Sequence, residues 1–157
     1  MEIKTILVPC DFSEYAEHAF TWALGLAEGE GAKVVIMHAA PLFSHLAYPE
    51  SVYVVDLAKM EEELIADAEK RLQEFVAKKG TSTVTVETRA VLGDPLWEIC
   101  QAAEREHADL IVMGSHGRTG LAHVLLGSVA ERVVQKAGCA VLTVRHPDRR
   151  FKHPLDK

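Results

Sequence analysis

The chain has 157 residues, 48% of them hydrophobic, with Lys+Arg 17 against Asp+Glu 23 and a formal net charge of −6 at pH 7. A single domain of this size hides roughly two-thirds of its unfolded surface, so it builds a core without disulfide or metal staples. The acidic balance excludes a general nucleic-acid or membrane-surface binder, since both need a basic face, and three cysteines without paired spacing (Cys10, Cys100, Cys139) form neither a disulfide framework nor a zinc motif and point to a reducing compartment, the cytoplasm.

The first residues lack the layout of a signal peptide, and no apolar run approaches the ~20 residues of a membrane span, so a soluble protein without membrane insertion is expected. Thr5-Ile6-Leu7-Val8-Pro9 is a short apolar run, as a parallel strand covered on both faces requires. A helix over 14–28 follows, capped by Asp11 or Ser13, with Ala16, Ala19, Phe20, Ala23, Leu24 and Ala27 at helical spacing. Gly29 and Gly31 turn the chain into a second strand, 33–39. The stretch from Pro41 to Val55 carries Leu42, Phe43, Leu46 and Tyr48 in what reads as a loop; a lid over a cleft, a dimer contact and packing over the sheet edge all fit it. The spacing then predicts a helix over 56–79 with Leu57, Met60, Leu64, Ala68, Leu72 and Phe75 as its buried stripe, acids early and lysines late, and Gly80 as its stop.

Residues 83–91 alternate polar and apolar side chains, which places this third strand nearer a sheet edge. In Gly93-Asp94-Pro95, Asp94 is the cap and Pro95 the first residue of a helix burying Leu96, Ile99, Cys100 and Ala103. A strand over 109–113, a helix from Gly127 or Ser128 to Ala137 and a strand over 140–144 complete the order β-α-β-α-β-α-β-α-β. The pattern predicts one α/β domain over 1–146, a doubly wound parallel sheet with helices on both faces, followed by a basic, mobile tail over 147–157. Such sheets bind ligands beyond the carboxyl ends of their strands where the strand order reverses, so the residues after strands one and four are the candidates.

After strand four stands Gly114-Ser115-His116-Gly117-Arg118, and Gly127-Ser128 opens the next helix. Glycines there admit close approach of backbone to a ligand and the positive φ angles such a loop is expected to need. Bare amides at a helix N-terminus, the helix dipole and the Ser128 hydroxyl suit phosphate oxygens. At roughly 1.5–3 kcal/mol per charge-assisted hydrogen bond, three or four account for micromolar binding, about −8 kcal/mol. Ser128 with Glu131 also reads as a capping box that needs no ligand, and both readings can hold together; Asp11 reads as well as a plain helix cap. Arg118 reads either as a phosphate partner or as solvated, and His116 as a ligand or as a shaper of the loop; Cys10 and Cys100 read as packed.

The spacing Gly-x2-Gly-x9-Gly-Ser at Gly114, Gly117, Gly127 and Ser128 resembles that of the ATP-binding branch of the universal stress proteins, and the likeness extends through Ile6 to Ser13, Val35 to Ala39 and Val141 to Val144. The resemblance implies an adenine nucleotide alpha hydrolase-like sheet of five strands in order 3-2-1-4-5, binding ATP, or AMP or ADP, in the cleft at the carboxyl ends of strands 1 and 4. It further implies a homodimer through strand five (Val141, Leu142, Thr143, Val144) and a nucleotide-dependent regulatory role with a protein partner. Carried over by position, Pro9 and Asp11 border the adenosine, Ala39 offers backbone to adenine, and Met113 and Gly114 line the ribose side. Gly117, Gly127, Ser128 and Val129 hold the phosphates, with His116 and Arg118 beside them and Mg²⁺, if present, carried by phosphate and water. No Gly-x4-Gly-Lys-Ser/Thr loop, magnesium ligands or positioned base are evident, so efficient catalysis is not expected and no residue is assigned a catalytic role. A slow ATPase or phosphotransferase and a nucleotide-independent dimeric scaffold are the competing readings.

Overall fold

The computed structural model describes residues 2–41, 57–79, 83–117 and 126–147; the expectations for the 41–55 loop, Gly80, Arg118 and the tail fall largely or wholly outside them. In chain order the elements are β1 (Thr5–Pro9), α1 (Glu14–Glu30), β2 (Lys33–Ala40), α2 (Leu57–Ala77), β3 (Val86–Leu92), α3 (Pro95–Arg105), β4 (Leu110–Gly114), α4 (Ser128–Lys136) and β5 (Ala140–Val144). All pairings are parallel and the strand order is β3-β2-β1-β4-β5. Central β1 pairs on both sides, Leu7 standing opposite Val35 of β2 and Ile111 of β4.

Each face of the sheet carries its own core. Ile6, Val8, Val34, Ile36 and Val112 pack with Ala16, Ala19, Phe20 and Ala23 of α1 and Leu72 of α2. Leu7, Val35, Met37, Ile111 and Met113 pack on the opposite face with Leu96 and Ile99 of α3 and Ala130 and Val133 of α4. Successive side chains of a strand point to opposite faces, so strands buried on both read as continuous apolar runs. Edge strand β3, paired only with β2, is mostly half-buried, as its alternation predicts.

Several local expectations are corrected. Helix α1 runs through Gly29 to Glu30 and ends where Gly31 takes the left-handed φ of 68°, its N–H bonded to the Ala27 carbonyl. Strand β3 starts at Val86, opposite Val34, rather than at 83; the last ladder bond on that side runs from the Val34 N–H to the Thr85 carbonyl at 2.9 Å, and β2, beginning at Lys33, does not extend to residues 83 and 84. No acid lies in the first turn of α2 and no base in its last; the late lysines fall just past the helix end. Lys78 and Lys79 follow Ala77 directly, the Lys78 N–H bonded to the Glu74 carbonyl at 3.1 Å, so both stay within a turn of the carboxyl end, where the helix dipole favours positive charge.

At the amino ends of the strands, Asp109 ties β1 to β4. Its Oδ2 accepts hydrogen bonds from the Lys4 and Thr5 N–H groups at 2.8 and 3.0 Å, and its own N–H donates to the Thr5 carbonyl at 3.0 Å. Those two backbone donors hold the Asp109 carboxyl below the usual aspartate range. It lies at the end of the sheet away from the carboxyl ends of the strands, so it serves the fold.

Candidate functional site

At the carboxyl ends of β1 and β4 the chain departs into α1 and α4, which cover opposite faces, and a crevice opens between the two exits. On the β1 side the Cys10 N–H donates to the Met37 carbonyl at 2.7 Å, continuing the ladder one residue past the strand. Asp11 follows, its Oδ1 accepting from the Ser13 N–H at 3.0 Å, while Ser13 Oγ accepts from the Ala16 N–H at 3.2 Å. Ser13 is therefore the cap of α1, and the reading of Asp11 as that cap is corrected: its carboxylate closes a tight turn ahead of the helix.

On the β4 side the Ser115 N–H is fastened to the Val144 carbonyl at 2.8 Å, and the Gly127 N–H to the Ser115 carbonyl at 2.7 Å, which brings the start of α4 back to the end of β4. His116 is buried, with Nδ1 3.0 Å from the Ser115 hydroxyl and its ring 5.6 Å from that of Tyr15, contacts that shape the loop. Gly127, not Ser128, is the N-cap of α4, and no side chain caps this helix. The Ser128–Glu131 capping box is thus corrected, because Ser128 already lies inside the helix with its side chain past the capping position. Of the three helices whose caps are described, α1 and α3 are capped by Ser13 and Asp94, and α4 alone leaves its first-turn amides to another partner.

The three motif glycines are not there for φ: among the described glycines only Gly31 and Gly93 take positive φ. What they supply is room. A Cβ on Gly114 would stand 2.8 Å from the Tyr15 Cβ and 3.0 Å from the His116 carbonyl oxygen, so its absence admits helix α1. One on Gly117 would meet Asp11 Oδ2 at 2.7 Å, and one on Gly127 would crowd His116 Cα at 3.3 Å and the Ser115 carbonyl oxygen at 3.4 Å. Gly117 and Gly127 therefore let the two loops close on Asp11 and on each other.

The result is a cleft of about 280 Å³. Of the residues picked from the sequence, Pro9, Asp11, Ala39, Met113, Gly114, His116, Gly117, Gly127, Ser128 and Val129 all line it; Arg118 lies outside the described residues. Sequence reasoning missed Met37 and His38 at the end of β2, Pro95 and Ile99 at the start of α3, and Ala16 and Ala130 on the flanking helices. Pro95 was within reach of the same topological rule, since the connection after β3 emerges on the same side of a parallel sheet as those after β1 and β4. Ile99 carried no signal apart from its place in a buried stripe. The cleft combines apolar walls from Met37, Ile99 and Met113, a carboxylate at Asp11 and bare helix amides at Ser128 and Val129, a set suited to a flat apolar ring bearing polar edges and an anionic group.

The pKa of Glu17 is lowered by its 2.8 Å ion pair with Lys79, and burial raises those of the free thiols Cys100 and Cys139. Among the described residues, no cluster of three or more His, Cys, Asp or Glu side chains is placed to hold a metal ion, and no helix is long and apolar enough to cross a membrane.

Comparison with known proteins gives a consistent result. The universal stress protein family model matches residues 2–145. Universal stress protein MJ0531 of Methanocaldococcus jannaschii is 34% identical over 146 residues, covering 93% of this chain and 84% of the relative. A universal stress protein of Thermus aquaticus is 38% identical over 144 residues, 90% of this chain and 98% of the relative. Among solved structures, MJ0577 superposes with a TM-score of 0.77 at 30% identity, covering 93% of this chain and 98% of the other. A universal stress protein solved in complex with cAMP gives 0.63 at 26% identity, covering 92% and 98%.

Proposed function

This chain belongs to the universal stress protein family, and we propose that it binds an adenine nucleotide, ATP, ADP or AMP, in the cleft between the exits of β1 and β4 and acts as a nucleotide-dependent regulatory protein. The observation that carries this reading is the start of α4: a helix N-terminus with no side-chain cap lines a cleft whose other side presents a carboxylate. Unsatisfied N–H groups and the positive end of a helix dipole favour phosphate. The cAMP complex of a relative supports the ligand class.

In this reading Ser128 and Val129 present amides, and Ser128 its hydroxyl, to phosphate oxygens, while Gly117 and Gly127 let Asp11 and the 115–117 loop close around the phosphate-binding end of the cleft. Asp11 offers acceptor oxygens to ribose hydroxyls or an exocyclic amine. Ala39 supplies backbone polar groups to the base, and Pro9, Met113 and Gly114 border the adenosine. Mg²⁺ would be held by phosphate oxygens and water, as this ion commonly is.

The assembly proposed is a homodimer through β5. The two sheet edges differ in a way that supports it: β3 carries Glu87 and Arg89, joined with Lys33 and Glu106 in an ion-pair network, whereas Ala140–Val144 has no charged residue to discourage another strand. The cytoplasm is the proposed location, consistent with three cysteines that form no disulfide.

The test is mass spectrometry of small molecules released from freshly purified protein, together with calorimetry. Adenine nucleotide is expected in the first and micromolar affinity in the second, with Gly127→Val weakening binding at least about tenfold, because its side chain presses the loop 115–117. Absence of binding by the parent protein, or unchanged affinity in Gly127→Val, refutes the assignment.

A further inference from the structure

We infer that Phe12 is a positioning residue: held in a left-handed backbone conformation by the side chains of His38, Phe75 and Arg71, it sets the Asp11 carboxylate in the cleft and couples it to helix α2. The inference rests on the nucleotide reading above and extends it to a residue that does not line the cleft.

Phe12 has φ 64°, a region that bulky L-residues rarely occupy. It stands between two anchored neighbours. Cys10 is fixed by its N–H to the Met37 carbonyl and, at its own carbonyl, by the His38 ring, whose Nδ1 donates at 2.7 Å. Ser13 is fixed as the cap of α1. The path from strand to helix is therefore decided at Asp11 and Phe12, and a change of φ at Phe12 would swing the Ser13 N–H away from Asp11 Oδ1.

An unfavourable backbone angle persists only where the surroundings over-determine it, and here they do. The Phe12 ring lies 4.5 Å from the His38 ring and 6.1 Å, edge-on, from that of Phe75. The Arg71 guanidinium carbon stands 4.1 Å from the ring centroid, within cation–π range. Arg71 and Phe75 lie one turn apart on α2, so this helix grips the ring from a position outside the cleft. Across the site, Asp11 Oδ2 occupies the space left by the missing Cβ of Gly117. The carboxylate is thus placed from both sides, by the Phe12 turn and by the gap at Gly117, and movement of α2 would reach it through the ring.

The experiment measures AMP affinity by calorimetry on the full chain for the parent, Phe12→Ala, Phe12→Tyr, Arg71→Met, Asp11→Asn and the double variant Phe12→Ala/Asp11→Asn, with hydrogen exchange at the Ser13 amide recorded on the same proteins. Expected are a loss of about tenfold or more in Phe12→Ala, a smaller loss in Arg71→Met, and near-parent affinity in Phe12→Tyr. Phe12→Ala should add nothing once Asp11 is Asn, and should lower the protection of the Ser13 amide. Additive losses in the double variant, or a Phe12→Ala protein that binds as the parent while Asp11→Asn does not, overturns the inference and leaves the nucleotide reading intact. A parent protein that binds no AMP refutes that reading; the Ser13 amide then decides the rest, unchanged protection in Phe12→Ala refuting the positioning role.

Discussion

Gly114 and Gly117 stand three residues apart in one motif, yet replacing each by alanine is expected to damage different properties. In Gly114→Ala the new Cβ meets the Tyr15 Cβ at 2.8 Å, the His116 carbonyl oxygen at 3.0 Å and the Tyr15 carbonyl carbon at 3.1 Å. The first contact is roughly 0.7 Å inside an ordinary carbon–carbon separation of about 3.5 Å, and the other two are backbone, which cannot rotate away. Helix α1 has to retreat, loosening Ala16, Ala19 and Phe20 from the sheet. Overpacking of this kind costs about 1–3 kcal/mol, and rigid contacts place this site toward the upper end. For a chain of this size that is a fall in Tm of roughly 5–10 °C. In Gly117→Ala the contacts are Asp11 Oδ2 at 2.7 Å and Cγ at 3.9 Å, the far end of a side chain that can turn aside. Stability is then expected to change by less than about 1 kcal/mol, while nucleotide affinity falls because the carboxylate has moved. Urea unfolding of both variants beside calorimetry makes the comparison. A Gly114→Ala protein as stable as the parent, or a Gly117→Ala protein that loses stability but keeps affinity, would refute the division of labour.

Asp109→Asn should lower stability at neutral pH and narrow the gap to the parent in acid. Its folded pKa is depressed, so its contribution is complete above the ordinary aspartate value of about 3.9 and is lost as pH falls through the lower folded value. Urea midpoints from pH 7 down to pH 3 check this, and a gap that widens in acid contradicts it. Leu142→Lys places a charge on the β5 edge and should convert a dimeric mass in light scattering to a monomeric one; a parent that is monomeric across micromolar protein, with and without nucleotide, rejects the β5 interface. Turnover of ATP in a coupled assay should fall far below the ordinary enzyme range of ~1–1000 per second, and a rate inside that range would overturn the regulatory reading.

The order of elements and the parallel sheet follow from one-dimensional patterning alone. Ile6 to Val8 and Ile111 to Met113 are continuous apolar runs because both faces of their strands are covered, and the alternation from Val84 to Val91 marks a strand with a neighbour on one side only. Topology then located the cleft, since parallel strands deliver all their connections to one end, and the glycine spacing marked which loop faces it. What local pattern does not carry is distance between segments remote along the chain. That Gly114 makes room for Tyr15, that Gly127 rather than Ser128 caps α4, that Pro95 and Ile99 reach the cleft, and that Phe12 is gripped by Arg71 are relations between such segments. A capping pair such as Ser128 and Glu131 is only a possibility until the chain's path decides which residue enters the helix first. The left-handed turn at Phe12 is legible nowhere in its neighbours, because the contacts that sustain it come from β2 and α2.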